Sequence, residues 1–427
     1  KENGKGIREE IEKGIEDEFE MKDRRYRSST LTNGLGRSGQ RALLYATGMD
    51  EEDMKKPFVA VIGSFSEMVP GHVHLRELAD YVKQGIIEAG GVPRQSETIA
   101  ICDGLCQGHK GMCYPLASRD LIADSVEMVV EAHHFDAMVL LPGCDKIIPG
   151  MLMAAARLEM PAIFLNGGPM YPASYCGRHY DGNIVTEAIG WKQQGRIDEE
   201  EFRHIEDIAE PCPGSCAMLG TANTMSALSE SLGMSLMGSS TIPAVLAARM
   251  AKGVETGEKI VELVQKGVTT RDILTEEAFE NAVMHLLTMG GSTNGILHLQ
   301  AIYHEAGLGE LPLSVFDEFS RRIPQVASIY PASEFDMVDF YEGGGVPAVL
   351  KEIEEYLHKD TLTVSGLTMG EALSRFSYTN NRNMIKTAEE PFAPTGGVAI
   401  LKGNIAPLGC VIKPAAVPKH MFRYSGR

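Results

Sequence analysis

The sequence has little positive charge: 40 Lys and Arg residues stand against 58 Asp and Glu residues, for a net charge of −18. So acidic a surface repels phosphate backbones, which excludes nucleic acid as the main partner. No apolar run approaches the about 18 residues that a membrane-spanning helix needs, so no membrane span is expected. The first twenty residues are rich in charge, unlike a secretory signal, which predicts a cytoplasmic protein.

Cysteine is present, but not in the pattern of a zinc ribbon, because none of the eight cysteines belongs to a Cys-x-x-Cys pair. A disulfide framework is typical of small secreted domains, whereas this chain has 427 residues and no export signal. Metal binding or catalysis is therefore the better explanation for some of the cysteines. Three others are interpreted as small buried apolar residues: Cys113, Cys176 and Cys410.

Short apolar runs alternate with helical patterns from residue 57 to residue 165, which predicts an α/β fold with a mostly parallel sheet flanked by helices. The expected strands are 58–62, 98–101, 137–141 and 162–165, and the expected helices are 73–89, 118–134 and 151–158. Helical patterns then dominate from about 197 to 380. Two short β segments close the chain, at 397–401 and 410–413.

Composition predicts three parts. Residues 1–56 form a charged N-terminal arm with one or two helices, and residues 57–380 form the α/β domain with a helical second half. Residues 381–427 are expected to be the truncated beginning of a C-terminal β-barrel domain, because they are too few to complete one. The run Gly34-x-Gly36-x-x-Gly39 in the arm follows no strand, so it does not predict a dinucleotide site.

Two Cys-Asp dipeptides follow predicted strands. Cys102-Asp103 comes after the second strand and Cys144-Asp145 after the third, at the sheet edge where parallel sheets bind ligands. Adjacent side chains point to different sides, so each dipeptide can serve two neighbouring metal centres. Thiolates suit iron–sulfur clusters, and carboxylates suit Mg²⁺ or Mn²⁺. The alternative for either dipeptide alone is a buried Cys beside a helix-capping Asp.

A loop rich in Pro and Gly, residues 210–216, supplies two more cysteines, Cys212 and Cys216, just before a predicted helix. The helix dipole lowers the pKa of a thiol at this place. Both cysteines are candidate ligands, and one of them can be a bystander. Lys146 follows the second Cys-Asp dipeptide and is either a charge partner of the carboxylates or, if carbamylated, an additional oxygen ligand.

The loop Ser292, Thr293 and Asn294 opens a predicted helix at 295–305. Its backbone N–H groups and hydroxyls can bind a substrate carboxylate or phosphate. They can equally serve only as the N-cap of the helix. Three histidines are interpreted as structural polar residues or minor contacts: His72, His74 and His109.

Taken together, these segments resemble the dihydroxy-acid dehydratase and phosphogluconate dehydratase family. The resemblance covers most of the chain from residue 57 to residue 413. The matching segments are ICDGLCQGHKGM (101–112), SRDLIADSVE (118–127), LPGCDKIIPGML (141–152), PAIFLNGGPM (161–170), CPGSCAMLGTANTM (212–225), GGSTNGILHLQAI (290–302) and PTGGVAILKGNIAPLG (394–409).

The resemblance implies a hydro-lyase that holds an iron–sulfur cluster on three cysteines and a Mg²⁺ ion. Cys144 and Cys216 match two cluster ligands. Members with a two-iron cluster take the third ligand from a Pro-Cys-Asn segment, which reads Pro70-Gly71-His72 here. Members with a four-iron cluster take it from a Cys-Asp-Gly segment, which is present as Cys102. A 4Fe-4S cluster on these three cysteines is therefore expected, with 2Fe-2S as the alternative.

By the same resemblance, Asp103, Asp145 and a carbamylated Lys146 match the family's magnesium ligands. The family's catalytic base is a serine in a C-terminal β-barrel. Neither that segment nor a further glutamate ligand has a counterpart here, so both are expected beyond residue 427.

The family dehydrates 2,3-dihydroxy carboxylic acids to 2-keto acids. The segments at 290–302 and 394–409 favour the branched-chain substrates of amino-acid biosynthesis, whereas the compact loop 212–223 is closer to enzymes acting on aldonate or 6-phosphogluconate. An iron–sulfur electron-transfer or scaffold protein, with Cys212 or Cys106 as fourth ligand, is the alternative from another class. A small-molecule acid is the expected partner, and the expected assembly is a homodimer or a dimer of dimers.

Overall fold

The computed structural model describes residues 26–377 and 381–426. At its centre is a four-stranded parallel sheet with the strand order β2-β1-β3-β4. The strands are β1 (Phe58–Gly63), β2 (Val92–Glu97), β3 (Ala137–Leu141) and β4 (Ala162–Phe164). Every residue of β1, β3 and β4 is buried, as in a parallel sheet covered on both faces. The expected α/β fold is confirmed.

The first half of the chain alternates these strands with helices. Its helices are α1 (Ser29–Thr32), α2 (Ser38–Ala46), α3 (Leu75–Glu88), α4 (Asp103–Cys106), α5 (Pro115–Ala132) and α6 (Ile147–Leu158). Helices α1 and α2 lie in the predicted arm 1–56, whose first 25 residues lie outside the described part. Helix α3 packs on β1 and β2, and α5 packs on α6.

One expected strand is wrong: residues 98–101 are not a strand, and β2 is formed by Val92–Glu97 instead. The reason is the place of β2 at the edge of the sheet, where alternate side chains of the strand face solvent. Polar residues are tolerated there, so the strand lacks the apolar run by which buried strands are recognised. Residues 98–101 lead from the sheet edge to Cys102.

The second half is mainly helical, as expected. It begins with the short hairpin β5 (Ala173–Tyr175) and β6 (Arg178–Tyr180). Its helices are α7 (Ile184–Gln193), α8 (Glu199–Ile208), α9 (Thr221–Ser231), α10 (Ala247–Lys266), α11 (Thr270–Ile273), α12 (Glu276–Met289), α13 (Asn294–Glu305), α14 (Leu313–Arg322), α15 (Met337–Glu342), α16 (Gly345–Glu352) and α17 (Met369–Ser374). Helix α10 packs along α3, and α13 packs on α6, so both attach to the α/β core.

The C-terminal part contains one antiparallel pair, β7 (Ala399–Leu401) and β8 (Cys410–Ile412). The beginning of a β-barrel that we expected for 381–427 is not confirmed, because the described residues 381–426 show this pair and no closed barrel. The segment before β7 lies against the C-terminal end of α12, where Gly397 N donates to Leu287 O at 2.8 Å. Within the described ranges, no helix is both long and apolar enough to cross a membrane.

Three loops meet at the carboxyl edge of the sheet between β1 and β3, where the strand order changes direction. Such a switch point is where open α/β sheets bind ligands. The loops come from β1, from β3 and from the segment before α9, and glycine stands at each contact. Gly71 faces the carbonyl oxygens of Gly143 and Gly214, and Gly214 N donates to Pro70 O at 3.0 Å. The backbones therefore touch without intervening side chains.

This contact predicts that Gly143→Ala is destabilising. The added methyl would collide with the carbonyl oxygen of Gly71, which is backbone and cannot turn aside. We expect a loss of about 1–3 kcal/mol in the free energy of unfolding of the metal-free protein, measured with urea. The control is Gly190→Ala in α7, where a methyl would meet nothing within 4 Å. If both variants unfold at the same urea concentration, the close approach of the loops is refuted.

Candidate active site

Two of the three predicted cluster ligands, Cys144 and Cys216, lie on the converging loops, and Cys102 lies in the segment that follows β2. Cys102 is the residue before α4, Cys144 follows β3 at 9% exposure, and Cys216 precedes α9. The thiols of Cys102 and Cys144 hydrogen bond to each other. Cys216 is open to solvent on one side, although protein surrounds its thiol closely elsewhere. The structure thus brings together three cysteines that are far apart in sequence.

The environments of the three thiols differ. The hydrogen bond from Cys144 lowers the pKa of the Cys102 thiol to about 6, and the backbone N–H groups of Leu105 and Gly104 act in the same direction. Donation of that bond and burial raise the pKa of Cys144. Burial, followed by the negative charge of nearby carboxylates, raises the pKa of Cys216. Cys102 is therefore the thiol most readily deprotonated in the metal-free protein.

Asn223 in the first turns of α9 holds the Cys216 loop. Its side-chain Nδ2 donates to the carbonyl oxygens of Cys216 and Met218 at 2.6 and 2.7 Å, and its Oδ1 accepts from Ser215 Oγ at 2.9 Å. One amide thus satisfies three polar groups of the loop. The position of the Cys216 thiol is therefore fixed relative to α9.

The two aspartates and the lysine form a second group beside the thiols. Lys146 Nζ lies 2.7 Å from Asp103 Oδ2 and 3.5 Å from Asp145 Oδ2, and Lys146 itself is buried. Asp145 Oδ1 also accepts from Ala222 N at 3.0 Å. Burial raises the pKa of Asp145, and the charge of Lys146 partly offsets this effect. Two carboxylates against one ammonium leave a site that can accept a cation.

The donor atoms fit the expected groups. Asp103 Oδ1 is buried and has no hydrogen-bond partner among the described residues. A buried oxygen without a partner is expected of a carboxylate that binds a cation. Among the described residues, the three cysteines do not form a group compact enough to hold one ion. A single metal with bonds of about 2.3 Å to sulfur would draw them closer, whereas a cluster of several irons spans a wider gap.

The loop Ser292, Thr293 and Asn294 reaches this site through Thr221 at the start of α9. Thr221 Oγ1 lies 3.1 Å from Ser292 Oγ and accepts from Asn294 Nδ2 at 2.9 Å. The Thr221 hydroxyl also hydrogen bonds to Asp145. The side chain of Thr293 makes no capping bond to α13, while Asn294 N donates weakly to Ser292 Oγ at 3.3 Å. The loop therefore lies next to the carboxylates and keeps polar groups for a ligand.

The three histidines are engaged with the backbone. A ring nitrogen of each lies 2.7–2.9 Å from a carbonyl oxygen: Ser64 O for His72, Gly167 O for His74 and Leu105 O for His109. Burial lowers the pKa of His72 to about 4 and lowers that of His74. These two are therefore weak bases at neutral pH, in agreement with a structural role.

The remaining cysteines divide into two sets. Cys212 Sγ accepts from Tyr171 N at 3.3 Å, and Cys106 is half-buried at the end of α4. The interpretation of three other cysteines as buried is wrong, because all of them are exposed: Cys113, Cys176 and Cys410. Cys113 ends a short 3-10 helix, Cys176 lies in a turn and Cys410 lies in β8. The residue type alone does not reveal that these positions are exposed.

Several residues of the site were not singled out from the sequence. Thr221 and Asn223 lie in the motif CPGSCAMLGTAN. They are the first and third residues of α9, and this position at the start of a helix is the signal by which the sequence could have identified them. Asp181 and Glu210 both lie near Cys216, Asp181 from a different part of the chain and Glu210 from the same loop. Nothing near Asp181 in the sequence suggests a site, and only the folding of residues 171–210 brings it there.

A separate group of possible metal ligands has a structural explanation. Among the described residues, only His179, Asp336 and Asp339 are compact enough to bind one ion. Asp336 and Asp339 form the capping box of α15, and His179 Nδ1 lies 3.0 Å from Asp336 Oδ2. These polar groups already satisfy one another.

Comparison with known proteins identifies a family that matches most of the chain. The family described as "Dihydroxy-acid/6-phosphogluconate dehydratase N-terminal" matches residues 56–372, and its C-terminal counterpart matches residues 383–427. The chain is 48% identical over 401 residues to "Dihydroxy-acid dehydratase" of Halothermothrix orenii, covering 93% of this chain and 72% of that protein. It is 47% identical over 403 residues to "Dihydroxy-acid dehydratase 1" of Methanosarcina acetivorans, covering 94% and 73%. For "Dihydroxy-acid dehydratase" of Pyrococcus furiosus the identity is 47% over 393 residues, covering 92% and 71%.

Proposed function

We propose that this chain, which belongs to the dihydroxy-acid/6-phosphogluconate dehydratase family, is a hydro-lyase that converts a 2,3-dihydroxy carboxylic acid into a 2-keto acid. The observation that carries the proposal is the convergence of three thiols and the Asp103–Lys146–Asp145 group at one edge of the sheet. Thiolates can hold an iron–sulfur cluster and carboxylates a divalent cation, so neighbouring sites of the two kinds can place two Lewis acids beside one hydroxy acid.

We propose that Cys102, Cys144 and Cys216 hold a 4Fe-4S cluster and that Asp103 and Asp145 hold Mg²⁺ or Mn²⁺. When bound, these groups supply Lewis-acid chemistry at the hydroxyl that leaves and at the carboxylate beside the C2 proton. The chain's own part is to place the donors. Burial keeps the two carboxylates in position, and the hydrogen bond between Ala222 N and Asp145 ties them to α9.

Lys146 is the residue of this group whose role depends on its chemical state. As an ammonium it neutralises the two carboxylates, which is the arrangement in the structure. We propose that carbamylation turns it into a third oxygen ligand, which removes the positive charge that otherwise competes with a divalent cation for the same oxygens.

The substrate carboxylate is proposed to bind at the loop Ser292, Thr293 and Asn294. This loop is joined to Asp145 through Thr221, so a carboxylate held there lies beside the cation site. We do not propose His72 or His74 as the base that removes the C2 proton, since burial lowers the pKa of both.

The proposal extends to the rest of the chain. Residues 381–427 are proposed to belong to a C-terminal β domain, which the C-terminal family match over 383–427 supports. The chain covers about 72% of the length of its relatives. A cytoplasmic location and assembly as a homodimer or a dimer of dimers stay predictions from the sequence and the resemblance.

The substrate is tested with an anaerobic panel of acids scored for 2-keto acid formation. We expect kcat/KM for branched-chain 2,3-dihydroxy acids to exceed that for aldonates and 6-phosphogluconate by at least about tenfold, the usual selectivity of a fitted apolar pocket. The names of the relatives support this order. The reverse order would favour a sugar-acid dehydratase, to which the compact loop 212–223 is similar.

A further inference from the structure

Residues 171–210, here called the clamp segment, form a small unit attached to the candidate site. The unit consists of the hairpin β5–β6 and the helices α7 and α8, which pack mainly on one another. They enclose their own apolar cluster, separate from the main core, with Ile184, Ala188, Ile205 and Ala209 at its centre and Trp191 against it. Tyr171, the first residue of the clamp segment, donates its backbone N–H to Sγ of Cys212, which lies two residues after the last. This bond brings the two ends of the segment together.

Few polar contacts join the clamp segment to the rest of the protein, and those between described residues lie beside Cys216. Asn183 Nδ2 donates to Met218 Sδ at 3.4 Å, and His179 Nδ1 lies 3.0 Å from Asp336 Oδ2. Asp181 lies between these two. Its carboxylate is buried and accepts from the backbone N–H of Ala217, the residue that follows Cys216.

Other bonds fix Asp181 and the loop that it contacts. Asp181 Oδ1 accepts from Asn183 N at 3.2 Å and from Asn183 Nδ2 at 2.9 Å, which orients the carboxylate. Across the loop, Ala217 O accepts from Met337 N at 2.9 Å. The backbone on either side of Cys216 is thus held by three elements: the clamp segment, α9 through Asn223, and the start of α15.

We infer that Asp181 is a positioning residue, which holds the candidate cluster ligand Cys216 in place through the backbone of Ala217. A buried N–H that loses its acceptor must find another partner or move, so removing this carboxylate frees the loop. Asp181 also places a negative charge near Cys216 and Glu210. The clamp segment therefore contributes to the site although none of its residues matches a family ligand.

The first test uses hydrogen exchange of the metal-free protein, read on peptides covering 212–220. We expect Asp181→Ala to accelerate exchange there about tenfold, the effect of losing one buried hydrogen bond. Asp181→Asn keeps one acceptor oxygen but loses the charge, so it should accelerate exchange there by a smaller factor. The control is Asp198→Ala, which removes the same charge from the clamp segment at the N-cap of α8, where Asp198 accepts from Glu201 N. It should leave 212–220 unchanged.

Trp191 is the single tryptophan of the chain and lies in the clamp cluster, so its fluorescence reports whether that unit stays folded. If Asp181→Ala changes this signal, Asp181→Asn decides: partly increased exchange of 212–220 with native fluorescence supports the inference, and unchanged exchange overturns it. Unchanged exchange in a folded Asp181→Ala variant, or an equal increase in Asp198→Ala, likewise overturns it.

The second test rests on the proposed function and uses reconstituted protein. Release of iron to a chelator should be about tenfold faster for Asp181→Ala than for Asp198→Ala, because a loosened Cys216 gives up its ligand position more often. Equal rates for the two variants would overturn a role in holding the ligand. If the protein binds no cluster at all, the proposed function fails, whereas the exchange experiment still decides the role of Asp181.

Discussion

Anaerobically reconstituted protein carrying Cys144→Ser is expected to hold almost no iron, whereas the unchanged chain should hold about four irons. Cys144 is buried at the end of β3, so few other groups can reach the position of its thiolate. A serine hydroxyl is a harder ligand than a thiolate, which iron–sulfur clusters prefer. Iron and acid-labile sulfide per chain measure the result. Cys102→Ser and Cys216→Ser are expected to behave alike.

The matched controls are Cys212→Ser and Cys106→Ser, which should keep most of the iron. The thiol of Cys212 already accepts a backbone hydrogen bond from Tyr171. A two-iron cluster that survives Cys102→Ser would contradict the proposed ligand set. Loss of iron in Cys212→Ser or Cys106→Ser would instead favour a closed cluster with four thiolates, as an electron-transfer or scaffold protein needs.

Asp145→Asn is expected to lower kcat by about 10²–10³, the usual effect of removing one group that stabilises transition-state charge, while the iron content stays unchanged. The amide keeps one oxygen for the hydrogen bond from Ala222 N, so the loop should remain folded. It loses the charge that a divalent cation needs, however. Asp103→Asn should act similarly, because Asp103 Oδ1 is the buried oxygen that has no partner among the described residues.

Asp80→Asn on the exposed face of α3 is the control for a lost carboxylate, and it should keep full activity. Excess chelator should stop turnover of the unchanged protein, and added Mg²⁺ or Mn²⁺ should restore it. Full turnover in chelator, or loss of iron in Asp145→Asn, would refute a second metal site beside the cluster. Bicarbonate should help only if Lys146 is carbamylated, and Lys146→Arg should remain inactive because Arg cannot become an oxygen ligand.

Much of the α/β core could be predicted because its signals are local. Buried strands such as β1 and β3 are continuous apolar runs, and the residues after them carry the chemistry. β2 was misplaced by several residues because an edge strand is only half covered and needs no apolar run. The hairpin β5–β6 gave no signal for a related reason, since only one of its six residues is buried and its strands are too short for a pattern.

The sequence by itself determined which residue types carry the chemistry, since Cys-Asp dipeptides after strands and a Cys loop before a helix are visible in one dimension. Only the tertiary structure decided that Cys102, Cys144 and Cys216 converge, because convergence depends on the strand order β2-β1-β3-β4 and on backbone contacts between distant glycines. It also decided the place of Asp181, which reaches Cys216 through the packing of a separate apolar cluster. Such contacts arise from the burial of side chains that are distant in sequence, and local patterns do not encode them.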